Sequence, residues 1–258
     1  PGRPGGKLSP AQAFYVSNEH MPTKGLTATL FYLAEEGAVK LDRSGKDGTN
    51  WTVTSTVTPE QLKTLDPSSQ AVLKGLNLTE AGSTFAADRS ADAGRMLTAT
   101  QGMLDSSTEV WGSTSGAIEH SNVENAGRAL VMFAVVAAVV CLIFGFLPAT
   151  IWVLPLLAFV IGGAGLYTAG VGTRRTKLGR DLWSQSAGFE RLLSTRSNEE
   201  RLDFSARKNL FTDYIPYAIA FGCADAWADK YRYATGQEPP EPSWFGGGFY
   251  APMYIGGF

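Results

Sequence analysis

Two long apolar runs stand out in the pattern of hydrophobic and polar positions. Residues 129–147 and 151–171 are apolar, aromatic or small, and no Asp, Glu, Lys or Arg occurs from 129 to 172. A helix needs about 20 residues to cross a hydrocarbon core of about 30 Å, so each run is long enough to span a membrane. Pro148 disrupts helical hydrogen bonding between the runs. The pattern predicts a transmembrane helical hairpin; a buried hairpin in a soluble protein is the alternative.

Small residues recur at four-residue spacing along both predicted helices. Such spacing lets helix backbones approach closely in lipid, where packing drives association. The repeated positions are Ala134 with Ala138, Ala137 with Cys141 and Gly145, Ala158 with Gly162, and Gly165 with Ala169. We expect these faces to bring the two helices together.

Basic residues flank the hairpin and predict its orientation. Arg128 precedes the first run, the connecting turn is uncharged, and the second run is followed by Arg174, Arg175, Lys177 and Arg180. Because positive residues stay on the cytoplasmic side, both segments outside the hairpin should be cytoplasmic. The candidate membrane-interface contacts are Trp152 near the outer turn, Tyr167 toward the inner side, and Arg174, Arg175 and Lys177.

Helix-capping residues define most of the segment before the hairpin. Helices are predicted to begin at the side-chain caps Ser9, Thr23, Thr58, Asp66 and Ser90. Thr58 and Gln61 have the spacing of a capping box, and Gly37 suits a left-handed helix end.

Strands are predicted over residues 38–41 and over 51–57, where apolar and polar residues alternate with a period of two. Helix, strand, loop and strand with flanking helices resemble a winged-helix module. Many such modules bind DNA, which requires clustered positive charge. Residues 1–127 hold ten basic and fourteen acidic residues, and the chain has a formal net charge of −2. We therefore expect no nucleic-acid partner and favour protein interaction.

Aromatic residues crowd the segment after the hairpin. The stretch 211–233 is predicted to be one helix, with Pro216 in its first turn and Thr212 or Asp213 as its cap. Tyr214, Tyr217 and Trp227 are candidate contacts with the membrane interface or a partner, because Tyr and Trp favour both. Packing against the first segment is the interpretation we favour.

Residue types that carry catalysis or bind metals are few and scattered. Cys141, Cys223, His20 and His120 are the chain's only cysteines and histidines, and none has the spacing of a metal site or redox motif. No ionisable Asp, Glu, Lys or Arg lies within the predicted spans, which argues against an ion pathway. We expect no catalytic, cofactor-binding or metal-binding residues and no enzymatic activity.

Five stretches, in order around the hairpin, carry a family resemblance. They are LSPAQAFYV, ATLFYLAEEGAVKL, GFERLL, YIPYAIAFGCADAWADKY and PSWFGGGFY. Together they resemble the C-terminal portion of the YciQ-like predicted bacterial membrane proteins, catalogued as domain of unknown function 2207. The resemblance implies an integral protein of the bacterial inner membrane, here without the family's N-terminal extracytoplasmic β-domain and first transmembrane helix. It carries over no activity and no catalytic residues.

The expected fold is mostly α and integral to the membrane, with a two-helix transmembrane hairpin inserted between cytoplasmic segments, the first α+β and winged-helix-like. The expected divisions are a linker and short helix (1–22), a winged-helix-like domain (23–85), an amphipathic helix (86–127), the hairpin (128–172), a helical segment packing with the first domain (173–235) and a flexible tail (236–258).

The expected function is a non-enzymatic scaffold or signalling protein with the lipid bilayer and an unidentified protein as partners. Two alternatives are a membrane-tethered winged-helix transcription regulator and a subunit of a transport or envelope complex.

Overall fold

The computed structural model describes residues 3–4, 6, 8–44, 50–88, 90–144, 149–167, 172–195, 204, 209–240, 242 and 245–246. The chain is mostly helical, with short strands. Before the two apolar helices the elements are α1 (Pro10–Asn18), α2 (Gly25–Glu35), β1 (Val39–Ser44), β2 (Asn50–Ser55), α3 (Pro59–Thr64), α4 (Pro67–Gly75), β3 (Thr84–Ala87), α5 (Ala91–Thr114) and β4 (Ile118–His120). Then come α6 (Asn122–Phe144), α7 (Ala149–Gly163), a 3₁₀ turn (Ala164–Tyr167), β5 (Thr173–Arg175), α8 (Lys177–Ser194), α9 (Leu210–Ala220), α10 (Ala224–Thr235) and β6 (Phe245–Gly246).

Most of the predicted helix starts are confirmed by hydrogen bonds to the capping side chains. Asp66 accepts from the backbone N–H groups of Ser68 and Ser69, at 3.0 and 3.2 Å. Ser90 accepts from the backbone of Ala93 in the same way. The side chain of Gln12 accepts from the backbone N–H of Ser9 at 3.1 Å.

Two predicted caps are wrong in whole or in part. The helix predicted to have Thr23 as its cap starts one residue later than expected, at Gly25, with Lys24 at the cap position. The capping box is only half formed, because the Gln61 side chain donates to the Glu36 carbonyl at 2.8 Å instead of reaching Thr58. That bond ties α3 to the end of α2, a tertiary contact that overrides the local motif.

A small sheet has the strand order β3-β2-β1-β6. The first three strands are antiparallel and β6 pairs parallel to β1. Val53 and Ser55 of β2 are buried, as the alternating pattern predicts. The sequence pattern did not predict β3 or β6. The β1–β2 hairpin lies between α2 and α3. The winged-helix assignment stays a prediction.

One hydrophobic core contains residues from the chain segment before α6 and from the segment after α7. Leu30, Leu73 and Leu104 from the first segment share it with Leu193 and Trp227 from the second. Helix α1 packs on α8, and α2 packs on α9. The two segments therefore form a single packed unit, which we call the core domain.

The aromatic helix predicted over 211–233 is two helices, α9 and α10, so that prediction is wrong. The break lies at Gly222, which has the left-handed φ of +68°. Backbone N–H groups of Gly222 and Cys223 donate to Ile219 and Ala218, at 3.1 and 2.8 Å, and close α9. The predicted start is also wrong, because α9 begins at Leu210 with Asn209 at its cap, which places Pro216 in its interior.

Helices α6 and α7 pack against each other as an antiparallel pair. Val131, Ala134 and Ala138 of α6 are buried in the contact, as is Val153 of α7. By length and composition, one helix among the described residues, Asn125–Ile143, can cross a membrane, and Val153–Tyr167 is a shorter apolar helix.

The small residues of α7 that contact α6 are not the predicted ones. Ala158 and Gly162 are exposed, whereas a Cβ on Gly163 would overlap the side chain of Val131. Gly145 and Ala169 of the predicted pattern lie outside the described residues. The four-residue spacing identified the packing face on α6 but missed the rotation of α7.

Candidate functional site

A short two-stranded ribbon joins the core domain to α6 and α7. Strands β4 and β5 pair antiparallel, with Glu119 opposite Arg174 and His120 opposite Thr173. The Ser121 N–H donates to the Gly172 carbonyl at 2.8 Å, one residue before α6 begins. The chain thus leaves and re-enters the core domain at one place, which we call the neck: β4, β5 and the first turn of α8.

Arg175 fastens the neck to α1. Its guanidinium donates to the carbonyls of Val16 and Ser17, both at 2.8 Å, and pairs with Glu19 at 2.9 Å. Thr173 also donates to the Glu19 carboxylate. Hydrogen bonds between ionised groups in a half-buried setting are among the stronger ones in proteins. Arg175, a candidate membrane contact from sequence, is therefore used inside the core domain.

Helix α8 begins where its backbone approaches β4 most closely. The Thr176 side chain caps it, accepting from the Gly179 N–H at 3.1 Å and donating to the Gly116 carbonyl at 2.6 Å. A Cβ on Gly179 would overlap the Ala117 carbonyl oxygen. The close approach requires glycine at this position.

Arg128 of α6 and Tyr167 of the 3₁₀ turn fasten the two apolar helices to each other at the end near the neck. Arg128 Nε donates to the Leu166 carbonyl at 2.8 Å, and the Tyr167 hydroxyl donates to the Arg128 carbonyl at 2.9 Å. The guanidinium lies 6.0 Å from the centre of the Tyr167 ring. Arg174 and Lys177 are exposed on the same neck, while the side chain of Trp152 lies outside the described residues.

The aromatic candidates lie inside the core domain. Tyr214, Tyr217 and Trp227 are 4%, 0% and 1% exposed, so their side chains are buried among residues of this chain. The Tyr217 hydroxyl donates to the Leu8 carbonyl at 2.7 Å, and Trp227 Nε1 donates to Phe211 at 3.1 Å. Burial raises the pKa of Tyr217 well above its ordinary value, so the hydroxyl remains a donor.

Sequence reasoning missed Lys230, which is only 2% exposed. Its Nζ donates to the carbonyls of Leu192 and Thr195, at 2.5 and 2.6 Å, at the C-terminus of α8. A cation is favourable there because the last carbonyls of a helix carry partial negative charge. The pattern A-D-K-Y in an amphipathic helix gives no signal that distinguishes this lysine from a solvated one.

Cys223, close to the same helix end, is a free thiol. Burial raises its pKa to about 12, and the charge of Glu190 adds to the shift. A thiol with so little thiolate at neutral pH is a poor nucleophile. Among the described residues, no group of three or more His, Cys, Asp or Glu side chains could hold a metal ion.

An open groove of about 600 Å³ lies between α4 and α5. Its walls include Ala71 and Lys74 from α4 and Ala99, Gly102 and Met103 from α5. Met103 is exposed within it. Small side chains and one exposed methionine make this a shallow, mainly apolar surface of the core domain.

A packed domain interrupted by an apolar helical pair is the arrangement expected of a membrane protein with an extramembrane domain. The chain matches the family described as "Predicted membrane protein (DUF2207) C-terminal domain" over residues 3–231. Because this match covers most of its length, the protein belongs to that family, which confirms the resemblance drawn from the five stretches. No curated protein and no solved structure matches it significantly.

Proposed function

We propose that the protein is a non-enzymatic scaffold or signalling component of the bacterial inner membrane, with a cytoplasmic core domain anchored by a two-span hairpin. The observation that carries the proposal is the single core built from residues on both sides of the hairpin. Segments that share a core fold on one side of a membrane, so the chain between them must cross an even number of times.

The lengths of the two apolar helices support this topology. The 19 residues of Asn125–Ile143 would extend about 28 Å at about 1.5 Å per residue. Helix α7 has 15 residues and the 3₁₀ turn four, which together extend about 30 Å. With α6 as one crossing, α7 and the 3₁₀ turn are the return crossing that the shared core requires.

The flanking charges support a cytoplasmic core domain. Arg128 lies at the end of the hairpin that adjoins the neck, and Arg174, Lys177 and Arg180 are exposed just beyond it. This asymmetry matches the distribution of Lys and Arg around spans of known orientation.

The interaction role is supported by the α4–α5 groove. Shallow apolar grooves between two helices accept the apolar face of a partner helix. The groove is lined mainly by small and apolar side chains, and the Cys223 thiol is a poor nucleophile. Both observations favour a binding role over a catalytic one.

Topology is tested by labelling single cysteines with an impermeant maleimide in the full chain, in a Cys141→Ser/Cys223→Ser background. Lys63→Cys and Tyr233→Cys lie on exposed positions of the two segments, and Pro148→Cys lies between the apolar runs. We expect the first two to react in inverted vesicles and the third only in right-side-out ones. Labelling of Lys63→Cys and Tyr233→Cys from opposite sides would refute the shared location.

The interaction role is tested by affinity purification from native membranes. Ala99→Lys, in the groove, should abolish recovery of a stoichiometric partner, whereas Thr98→Lys, on the exposed part of the same helix, should retain it. Equal recovery with both variants would exclude the groove as the docking surface.

A further inference from the structure

Large apolar side chains are exposed beside the neck, outside the packed helical pair. Leu178 and Trp183 of α8 are 47% and 42% exposed, and Val123 at the start of α6 is 78% exposed. Exposed apolar groups of this size mark a contact surface more often than chance. Because α8 follows the neck directly and Val123 lies at the start of α6, these residues lie near the boundary between bilayer and water in the proposed topology.

Basic side chains alternate with Leu178 and Trp183 along the chain. Arg174, Lys177 and Arg180 are exposed, and the Arg175 guanidinium lies 5.9 Å from the centre of the Trp183 ring. Two exposed acidic residues lie in the same stretch: Asp181 on α8, and Glu119 opposite Arg174 in the ribbon. Three exposed basic residues thus outnumber two acidic ones, a modest positive surplus held next to apolar side chains.

We propose that Arg174, Lys177, Leu178, Arg180 and Trp183 form a collar that binds the headgroups of anionic phospholipids. Leu178 and the Trp183 indole would lie at the headgroup level, where amphipathic rings are favoured, and the basic groups would contact lipid phosphates. The inference rests on the proposed membrane insertion and adds to it a preference for lipid charge.

A bilayer surface is the occupant that uses both the basic and the apolar side chains of the collar. A soluble phosphate would use the cations and leave Leu178 and Trp183 in water. An apolar partner alone would not use the basic residues that alternate with them along the first two turns of α8. Continuity with the apolar exterior of α6 and α7 favours lipid over both.

The test uses the full chain reconstituted in vesicles of phosphatidylcholine with phosphatidylglycerol, in which one lipid or the other carries bromine near the headgroup. The contribution of Trp183 is the difference in fluorescence quenching between the unchanged chain and the Trp183→Phe variant. At equal bromine content we expect at least twofold stronger quenching of Trp183 by brominated phosphatidylglycerol. Equal quenching by the two lipids would overturn the proposal.

Lys177→Ala/Arg180→Ala should remove this preference. The matched control is Lys63→Ala/Lys74→Ala, which removes the same charge from exposed positions on α3 and α4. A control that weakens the preference equally would show a general charge effect and refute the collar. Carbonate extraction of the same vesicles separates the two proposals: extraction of the chain contradicts membrane insertion, whereas a retained chain without lipid preference contradicts only the collar.

Discussion

The core domain buries its large apolar side chains, whereas the helical pair exposes most of its own. In the core domain, large residues such as Trp227, Tyr217 and Leu30 are fully buried. In the pair, the buried contact is made by Val131, Ala134, Ala138 and Val153, while large residues such as Phe133, at 71% exposure, face outward. Two packing solutions thus coexist in one chain, and they meet at the neck.

The difference indicates two surrounding media. In water, removing large apolar side chains from solvent is the main driving force, so they occupy the interior. In lipid that force is absent between helices, and close approach of small residues provides the association. The inverted arrangement of α6 and α7 is what a bilayer environment favours, and it supports the membrane location described for the family.

Truncating one large side chain in each region tests whether large residues stabilise the core domain but not the outer face of α6. Trp227→Ala removes a buried ring and its hydrogen bond to Phe211, and such truncations cost about 3–5 kcal/mol. Phe133→Ala, on the outer face of α6, should leave the unfolding free energy of the core domain unchanged. Both are measured by denaturant unfolding of the detergent-solubilised chain, and a large loss in Phe133→Ala would contradict the separation.

The neck, where the regions meet, is tested by two glycines of one helix. Gly179→Ala forces a Cβ into the Ala117 carbonyl, and we expect a loss of about 2 kcal/mol or more because backbone must move. Gly188→Ala, also in α8, meets no atom within 4 Å. It should stabilise by about 0.5–1 kcal/mol, since alanine favours helix. Equal thermal midpoints for the two variants would contradict the close approach.

The helical pair is tested by adjacent glycines on α7. Gly163→Val should separate the helices, because its side chain would overlap Val131, at a cost of about 1–3 kcal/mol. Gly162→Val, which meets no neighbour within 4 Å, is the control. The readout is the yield of a disulfide between Gly127→Cys and Leu166→Cys in a Cys141→Ser/Cys223→Ser background. That yield should fall only with Gly163→Val.

The smallest expected effect concerns Glu190 in the core domain. Burial raises the pKa of its carboxyl, so the protonated form is favoured by folding. This contribution is fully present below the ordinary pKa and is lost as the pH rises through the raised value. Glu190→Gln should therefore increase the thermal midpoint by about 1–2 °C at pH 7. The gain should disappear in acid. A gain that grows in acid would contradict a raised pKa for Glu190 in the folded state.

The sequence predicted the helix caps and apolar helices that depend only on neighbouring residues. The caps Asp66 and Ser90 are satisfied within three residues, so their sequence motifs suffice. Charge-free length likewise indicated the apolar helices before any contact was known.

Tertiary contacts determine three features that the sequence motifs did not predict: the partner of Gln61, the packing face of α7 and the burial of Lys230. Gln61 abandons its capping box for the carbonyl of Glu36, and Gly163 rather than Gly162 meets α6 because of how α7 rotates. Lys230 is buried because α8 ends against it. In each case the deciding partner is distant in sequence, so periodicity and capping rules do not contain it.

The bond between Tyr217 and Leu8 joins residues 209 positions apart, and this separation has a consequence for biosynthesis. At about 5–20 residues per second, the first half of the core waits about 10–40 seconds on the ribosome for the second half. During that interval α1 and α2 lack the contacts that α8 and α9 make with them in the finished fold. In the proposed topology the hairpin enters the bilayer within the same interval. The first half of the core domain is therefore exposed to aggregation and to chaperones until the second half has been synthesised.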